Sequence, residues 1–276
     1  MQITVGQHTF DVAVGGPDGG RPVLLLHGFP ENARMWDGVL PTLHAAGLRT
    51  AAPDQRGYSP GARPADVAGY AMSELVGDVV GLLAGLGWPA VDLVGHDWGA
   101  AVAWTVAAQH PALVRTLTAV SVPHPLALSA SRQDDPEQQR RSGYIGLFRT
   151  PGKAEETLLA DDMRRLRKML APIPADRADV FLRPMTEPGA LTAALNWYRA
   201  ATRQDADGLG PASAPTTYLW GTEDLAVARS AAERCAEHVT GPYRFVELPG
   251  VSHWMPELSP DPVAEAILDR VGSGPG

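Results

Sequence analysis

Val23–Leu26 is an unbroken apolar run, the pattern of a strand buried on both faces of a sheet. Around it, short strand-like stretches alternate with helix-spaced ones. Ile3–Val5 and Thr9–Val14 read as strands on either side of a turn at Gly6-Gln7. Met35–Ala46 has helical spacing, and Gly47 would end it. Arg49–Ala52 reads as a strand stopped by Pro53. In Met72–Leu86, Leu75, Val79, Leu82, Leu83 and Leu86 share one helical face. Val91–Val94, Gly99–Gln109 and Val114–Val120 continue as strand, helix and strand. Alternation of this kind predicts an α/β fold: a mostly parallel sheet with helices on both sides.

The pattern changes after Val122. Pro123 and Pro125 open a stretch with no strand signal before Thr216. Helices are expected over 137–149, 153–171, 176–183 and 188–203. In the second of these, Glu155, Glu156, Asp161 and Asp162 precede Arg164, Arg165, Arg167 and Lys168. That order suits the helix dipole and i,i+4 pairing, so it reads as a solvated face rather than a basic binding patch. Residues 208–215 have the composition of a linker. Sheet resumes with Thr216–Trp220 and Tyr243–Leu248, separated by a helix near Arg229–His238. A last helix covers about Asp261–Val271. The organisation predicted is a core of residues 1–122 and 212–276 with an inserted helical lid, or cap, at 123–211.

Length and charge narrow the class. A chain of 276 residues suits one sizeable domain, or a core with one insertion. The net charge of −8 argues against nucleic acid as a partner. Cys235 is the only cysteine, so no intrachain disulfide is expected. No apolar run approaches the ~20 residues that span a bilayer. Met1–Asp11 lacks the apolar centre of a signal peptide. A cytoplasmic protein, monomer or homodimer, without membrane association is the expectation. Lys153 and Lys168 are the only lysines among many arginines. With abundant Ala, Gly and Pro, this suggests a GC-rich bacterial genome.

The chemistry centres on Val94-Gly-His-Asp-Trp-Gly-Ala100. A Gly-x-x-x-Gly frame between strand and helix is the mark of a nucleophile elbow. The usual serine is replaced by Asp97. A carboxylate nucleophile forms an alkyl ester, which water must then cleave. Epoxides and alkyl halides become better substrates than esters or amides. The plainer reading, an aspartate capping a helix, is common in other contexts.

Further loops supply partners for that nucleophile. His27-Gly-Phe-Pro30 follows the Val23–Leu26 strand, and the amides of Phe29 and Trp98 could form an oxyanion hole. Of the eight histidines, His253 follows the last strand and titrates where a base must. His124, at the lid entrance, is the hardest of the others to dismiss. Asp224 follows the Thr216–Trp220 strand and would orient His253; Glu223 is its competitor. No acid follows Val114–Val120 before the lid. The lid holds two tyrosines, Tyr144 and Tyr198, whose phenols could donate protons to a departing oxygen. By residue type alone each also fits a packing role.

Together these residues resemble the α/β-hydrolase superfamily, and more closely its epoxide hydrolases, over nearly the whole chain. His27-Gly-Phe-Pro30 matches that family's His-Gly-x-Pro, and Gly95-His-Asp-Trp-Gly99 its elbow. Tyr144…Phe148…Pro151-Gly152 and Asn196-Trp-Tyr198 resemble the two lid segments that carry its ring-opening tyrosines. Asp54-Gln-Arg-Gly-Tyr-Ser59 resembles a structural loop of the superfamily. The resemblance implies an α/β-hydrolase fold with a helical cap. It implies Asp97 as nucleophile, His253 as base, Asp224 as acid, and Tyr144 with Tyr198 as donors to the epoxide. The expected activity is hydrolysis of a small-molecule epoxide by water to a vicinal diol. Phe29, Trp98, Phe148, Trp197 and Trp254 are the expected substrate-binding walls. No metal or organic cofactor is called for.

Two alternatives share these motifs. Haloalkane dehalogenases also pair the aspartate with a following tryptophan, but often carry a second halide donor where Phe29 stands. Haloacid dehalogenases of the fluoroacetate type place arginines where this chain has Trp98 and Ala101. A natural-product hydrolase relative with non-hydrolytic chemistry would look the same. A non-catalytic binding protein on this fold would be expected to lack a triad member, and none is missing.

Overall fold

The computed structural model describes residues 1–274. Eight strands form one sheet: β1 (Gln2–Val5), β2 (His8–Gly15), β3 (Arg21–Leu26), β4 (Leu48–Pro53), β5 (Val91–His96), β6 (Val114–Val120), β7 (Thr216–Glu223) and β8 (Tyr243–Ser252). Their spatial order is β1-β2-β4-β3-β5-β6-β7-β8. β1 and β2 pair antiparallel, as do β2 and β4. Every pairing from β4 across to β8 is parallel. The apolar runs explain this. Val23, Leu24, Leu25 and Leu26 of β3 are fully buried, as strands covered on both faces must be.

Helices flank the sheet. Met72–Leu86 packs beside Trp98–Gln109, and Leu40–Ala45 beside Pro260–Gly272. The Trp98–Gln109 helix is buried nearly all round, with Val102, Ala103, Trp104, Val106 and Ala107 fully enclosed. Its even apolarity is that of a core helix rather than an amphipathic one.

Several elements depart from expectation. The helix expected over Met35–Ala46 is a 3₁₀ turn at Ala33–Trp36 followed by an α-helix only at Leu40–Ala45. Pro41 supplies the reason: it is favoured in a first helical turn and disfavoured deeper inside. The stretch expected at 137–149 is two short helices, Pro136–Arg141 and Ile145–Phe148, parted around Gly143. The helix Pro125–Asp134 was not foreseen; His124 caps it, its Nδ1 accepting from the Leu126 amide at 3.3 Å. The 153–171 helix is broken inside Lys153–Met169, where Asp161, Asp162 and Met163 have φ of 51°, 54° and 57°. Aspartate tolerates that left-handed region better than most residues. Arg167 Nε donates to Asp162 O at 2.8 Å across the break. β7 and β8 run further than predicted, to Glu223 and Ser252.

Between β6 and β7 the described residues form helices and no strand. Single polar groups fasten this stretch to the sheet's loops. Trp197 Nε1 donates to Arg56 O at 2.8 Å, and Trp254 Nε1 to Met169 O at 2.9 Å. Arg56 is itself buried and held by a two-pronged bond to Asp78 at 2.7 and 2.6 Å. Arg177 bridges Glu257 at 2.8 Å and Asp37 at 3.0 Å. No helix among the described residues is long and apolar enough to cross a membrane.

Candidate active site

Asp97 stands at the turn between β5 and the Trp98–Gln109 helix with φ 50° and ψ −119°. A non-glycine residue in that region carries strain, which is stored where the neighbours over-determine it. The neighbours here are glycines for a steric reason. A Cβ on Gly95 would lie 2.3 Å from Gly99 O, and one on Gly99 would lie 2.2 Å from Leu26 O. The tight turn therefore exists only with both. Asp97 occupies the position that caps the helix, yet its side chain makes no capping bond. Instead its Oδ1 accepts from the Phe29 amide at 2.9 Å. Its Oδ2 accepts no hydrogen bond among the described residues. The Trp98 amide, the other expected oxyanion donor, makes no bond to the Asp97 side chain among those residues.

His253 closes the other side. Its Nε2 lies 3.6 Å from Asp97 Oδ2, too long for a direct hydrogen bond. Its Nδ1 lies 3.0 and 3.1 Å from the two oxygens of Asp224. Asp224 extends from the end of β7 and also accepts the amides of Ala226 at 2.8 Å and Val227 at 3.0 Å. Glu223, the competing acid, is exposed and takes no part. Ser121, the first residue after β6, was not foreseen. It has φ 68°, donates its hydroxyl to Asp224 Oδ2 at 2.6 Å, and lies 2.8 Å from His253 Nδ1. It occupies the site after β6 where an acid was sought and not found, which was the one available clue.

The electrostatics follow from burial and pairing. Burial alone would push the His253 imidazole down; Asp224, then Asp97 and Glu31, outweigh it and lift the group to about 9. Burial works against the charge of Asp224, but His253, Ser121 and the Ala226 amide hold it below the usual carboxylate range. Behind His253 lies a second buried pair: Glu31 Oε2 is 3.1 Å from His96 Nδ1, and His96 Nε2 donates to His253 O at 2.9 Å. His27 is a structural residue. Its Nδ1 donates to Gly28 O at 3.0 Å while its Nε2 accepts from the Gln55 amide at 3.0 Å, and burial drives its pKa down to about 4. His124 is likewise enclosed, stacked on His238, and pushed down to about 4 by burial.

A cavity of about 350 Å³ opens at this edge of the sheet, at the small end of ordinary ligand sites. Asp97, Trp98, Tyr144, Trp197 and Tyr198 all line it. The rings of Tyr144 and Tyr198 lie 6.1 Å apart, and Tyr198 meets Trp98 edge-on at 5.1 Å. Burial and the Asp97 charge push Tyr144 up; burial, Tyr144 and Asp97 do the same to Tyr198. Both phenols are therefore neutral hydrogen-bond donors across the physiological range.

Three expected wall residues stand elsewhere. Phe29, Phe148 and Trp254 do not line this cavity. Phe29 and Phe148 pack 5.4 and 5.0 Å from Tyr198 and support its ring from behind. Trp254 is turned away by its bond to Met169 O and packs edge-on against His253 at 4.8 Å. Aromatic type suggested a wall for all five; of them Trp98 and Trp197 line the cavity.

The family model for the alpha/beta hydrolase fold matches residues 21–260. The chain is similar to the AB hydrolase superfamily protein YfhM of Bacillus subtilis, with 34% identity over 95% of this chain and 93% of that one. It is equally similar to Epoxide hydrolase A of Mycobacterium tuberculosis, at 34% identity over 94% and 92%. Among solved structures, Epoxide Hydrolase A from Mycobacterium thermoresistibile superposes with a TM-score of 0.87, at 29% identity over 100% of this chain and 98% of that one. An epoxide hydrolase from Bacillus megaterium, complexed with its diol product, reaches a TM-score of 0.90 at 25% identity, over 99% and 100%.

Proposed function

The chain belongs to the α/β-hydrolase fold family and, within it, to the epoxide hydrolases; we propose that it opens an epoxide through an ester on Asp97 and releases a vicinal diol. The observation that carries this reading is the pair of protonated phenols, Tyr144 and Tyr198, lining one cavity with a carboxylate that is not used for capping.

In the first half-reaction Asp97 Oδ2 attacks a ring carbon, and the carbon–oxygen bond of the ring breaks. Tyr144 and Tyr198 hydrogen-bond the departing oxygen, and one of them yields its proton. In the second, His253 takes a proton from water, and the hydroxide adds to Asp97 Cγ. The Phe29 amide meets the oxyanion at Oδ1. Collapse breaks the acyl–oxygen bond, and the acid proton of Asp97 passes to the leaving alkoxide. The proton on His253 returns to the tyrosine, so one water is consumed. The 3.6 Å separation of His253 Nε2 and Asp97 Oδ2 suits this order. Alkylating Asp97 removes one of the charges that raise His253, freeing it to act as a base.

Residues 123–211 act, in this reading, as a cap that brings the two tyrosines over a core of 1–122 and 212–276. Its polar fastenings hold Trp197 and its neighbour Tyr198 in register with the elbow. A small-molecule epoxide and water are the partners, with a cytoplasmic location.

The test is an ester trap. The His253→Gln variant should form the ester and drain it slowly. Intact mass after mixing with epoxides should rise by the whole epoxide, on the peptide containing Asp97. A gain of an alkyl group after halide loss, from alkyl halides alone, would instead make the protein a dehalogenase.

A further inference from the structure

Arg132 lines the same cavity as Asp97, Tyr144 and Tyr198. It comes from the helix Pro125–Asp134. Three arginines reach this cavity, and their partners differ. Arg149 spends its guanidinium on the carbonyls of Tyr198 at 2.8 Å and Ala201 at 2.9 Å. Arg203 pairs with Asp207 at 3.4 Å. Arg132 has one hydrogen bond, from Nε to Ser142 Oγ at 3.1 Å, and no carboxylate partner among the described residues. Neither Nη group has a hydrogen-bond partner among the described residues.

Arg115, Arg140, Arg165 and Arg270 also lack a carboxylate partner among the described residues, but none of them lines the cavity. Acids outnumber bases by 31 to 23. The many ion pairs elsewhere show that carboxylates are available to arginines: Arg21, Arg56, Arg177, Arg229 and Arg234 each have one within 3.0 Å. Arg132 is exposed and opens onto the cavity. A guanidinium without a carboxylate is open to one carried by a ligand.

We infer that the substrate is an epoxide bearing a carboxylate on a side arm, with Arg132 as the group that receives it. The inference rests on the epoxide hydrolase reading and adds the substrate class. A single guanidinium with two free prongs matches one planar carboxylate. Location serves the same end, because an acid seated on Arg132 leaves the other end of the molecule in the space between the tyrosines and Asp97.

The test uses terminal epoxides of increasing chain length, each as free carboxylate and as methyl ester. The readout is the acid-to-ester ratio of kcat/KM, taken within each variant so that a general loss of activity cancels. In the wild type, the best length should favour the acid about tenfold or more, the scale of a charge-assisted hydrogen bond. High salt should reduce that ratio. Arg132→Gln should bring it to about one, and Arg132→Lys should keep part of it. The same ratio in wild type and Arg132→Gln overturns the inference. So does an equal loss on acid and ester, which would make Arg132 an electrostatic neighbour of the tyrosines. Turnover of esters with no preference for acids in the wild type sinks the inference and leaves the epoxide reading standing. No turnover of any epoxide, and no adduct in the trap, sinks both.

Discussion

The hydroxyl of Ser121 donates to Asp224 Oδ2 at 2.6 Å. Ser121 thereby ties the end of β6 to the end of β7, behind the His253 ring. Among the described residues Asp224 accepts from four groups: this hydroxyl, two backbone amides and the imidazole. An ionised carboxylate so held fixes the tautomer of His253, with Nδ1–H on Asp224 and Nε2 toward Asp97.

Removing that hydroxyl should loosen the histidine without touching the nucleophile. Ser121→Ala is expected to slow hydrolysis of the Asp97 ester by about tenfold, the worth of one hydrogen bond to a charged group. Ester formation should change less. Single-turnover fluorescence with an epoxide separates the two rates. Equal slowing of both would make Ser121 a packing residue.

Asp97→Ala should abolish epoxide turnover while keeping the fold. No other described carboxylate lies against both the Phe29 amide and His253 Nε2. Circular dichroism and the melting temperature should stay near wild type. Alanine keeps the Cβ, so the strain of the backbone at φ 50° is not relieved. Retained turnover would refute the covalent mechanism.

The two tyrosines should act on ring opening alone. Tyr144→Phe with Tyr198→Phe is expected to slow ester formation by about 10³-fold, within the span of general acid catalysis. Each single change should cost less, because the partner still donates. The hydrolysis rate of a preformed ester is the control and should move little.

The pH dependence follows from the raised pKa of His253. Folded, the group titrates near 9, above its ordinary value of about 6.5. A raised pKa stabilises the fold fully below the unfolded value, and that contribution is lost as pH rises through the folded one. The melting temperature should therefore fall between pH 6.5 and about 9. His253→Gln should flatten that decline. Catalysis should show the complementary trend: ester hydrolysis, which needs neutral imidazole, should rise with pH through a value below about 9, since the ester no longer carries the Asp97 charge.

Arg56 and Asp78 form a buried pair beneath the loop that receives Trp197. Asp78→Ala leaves a buried guanidinium without its partner and should cost about 3–5 kcal/mol. Chemical denaturation reads that loss. A reduced kcat alongside it would show that Arg56 O helps hold Trp197, and with it Tyr198, over the elbow.

Much of the fold is legible along the chain because it depends on neighbours in sequence. Val23–Leu26 reads as a buried strand from its apolar run and Val91–Val94 as the strand before the elbow, and both lie inside observed strands. Gly95 and Gly99 mark the elbow because the turn excludes any Cβ. The helices after β6 read less well. Their boundaries depend on prolines, Gly143 and left-handed residues at Asp161–Met163, none of which disturbs the apolar periodicity that predicts a helix.

By itself, the sequence determined the strand–helix order, the elbow with aspartate at its centre, and the residue types able to serve as base, acid and proton donors. These are set by short-range sterics and by side-chain chemistry. The tertiary structure alone decided which groups meet. Ser121 reaches Asp224 and His253 across 103 and 132 residues of chain. Trp98 and Trp197 line the cavity while Phe29, Phe148 and Trp254 do not. Arg132 lines the cavity of the tyrosines without a carboxylate partner among the described residues. Such meetings depend on how parallel strands bring their ends to one edge and how the helices after β6 lie across it, and no local pattern encodes that distance.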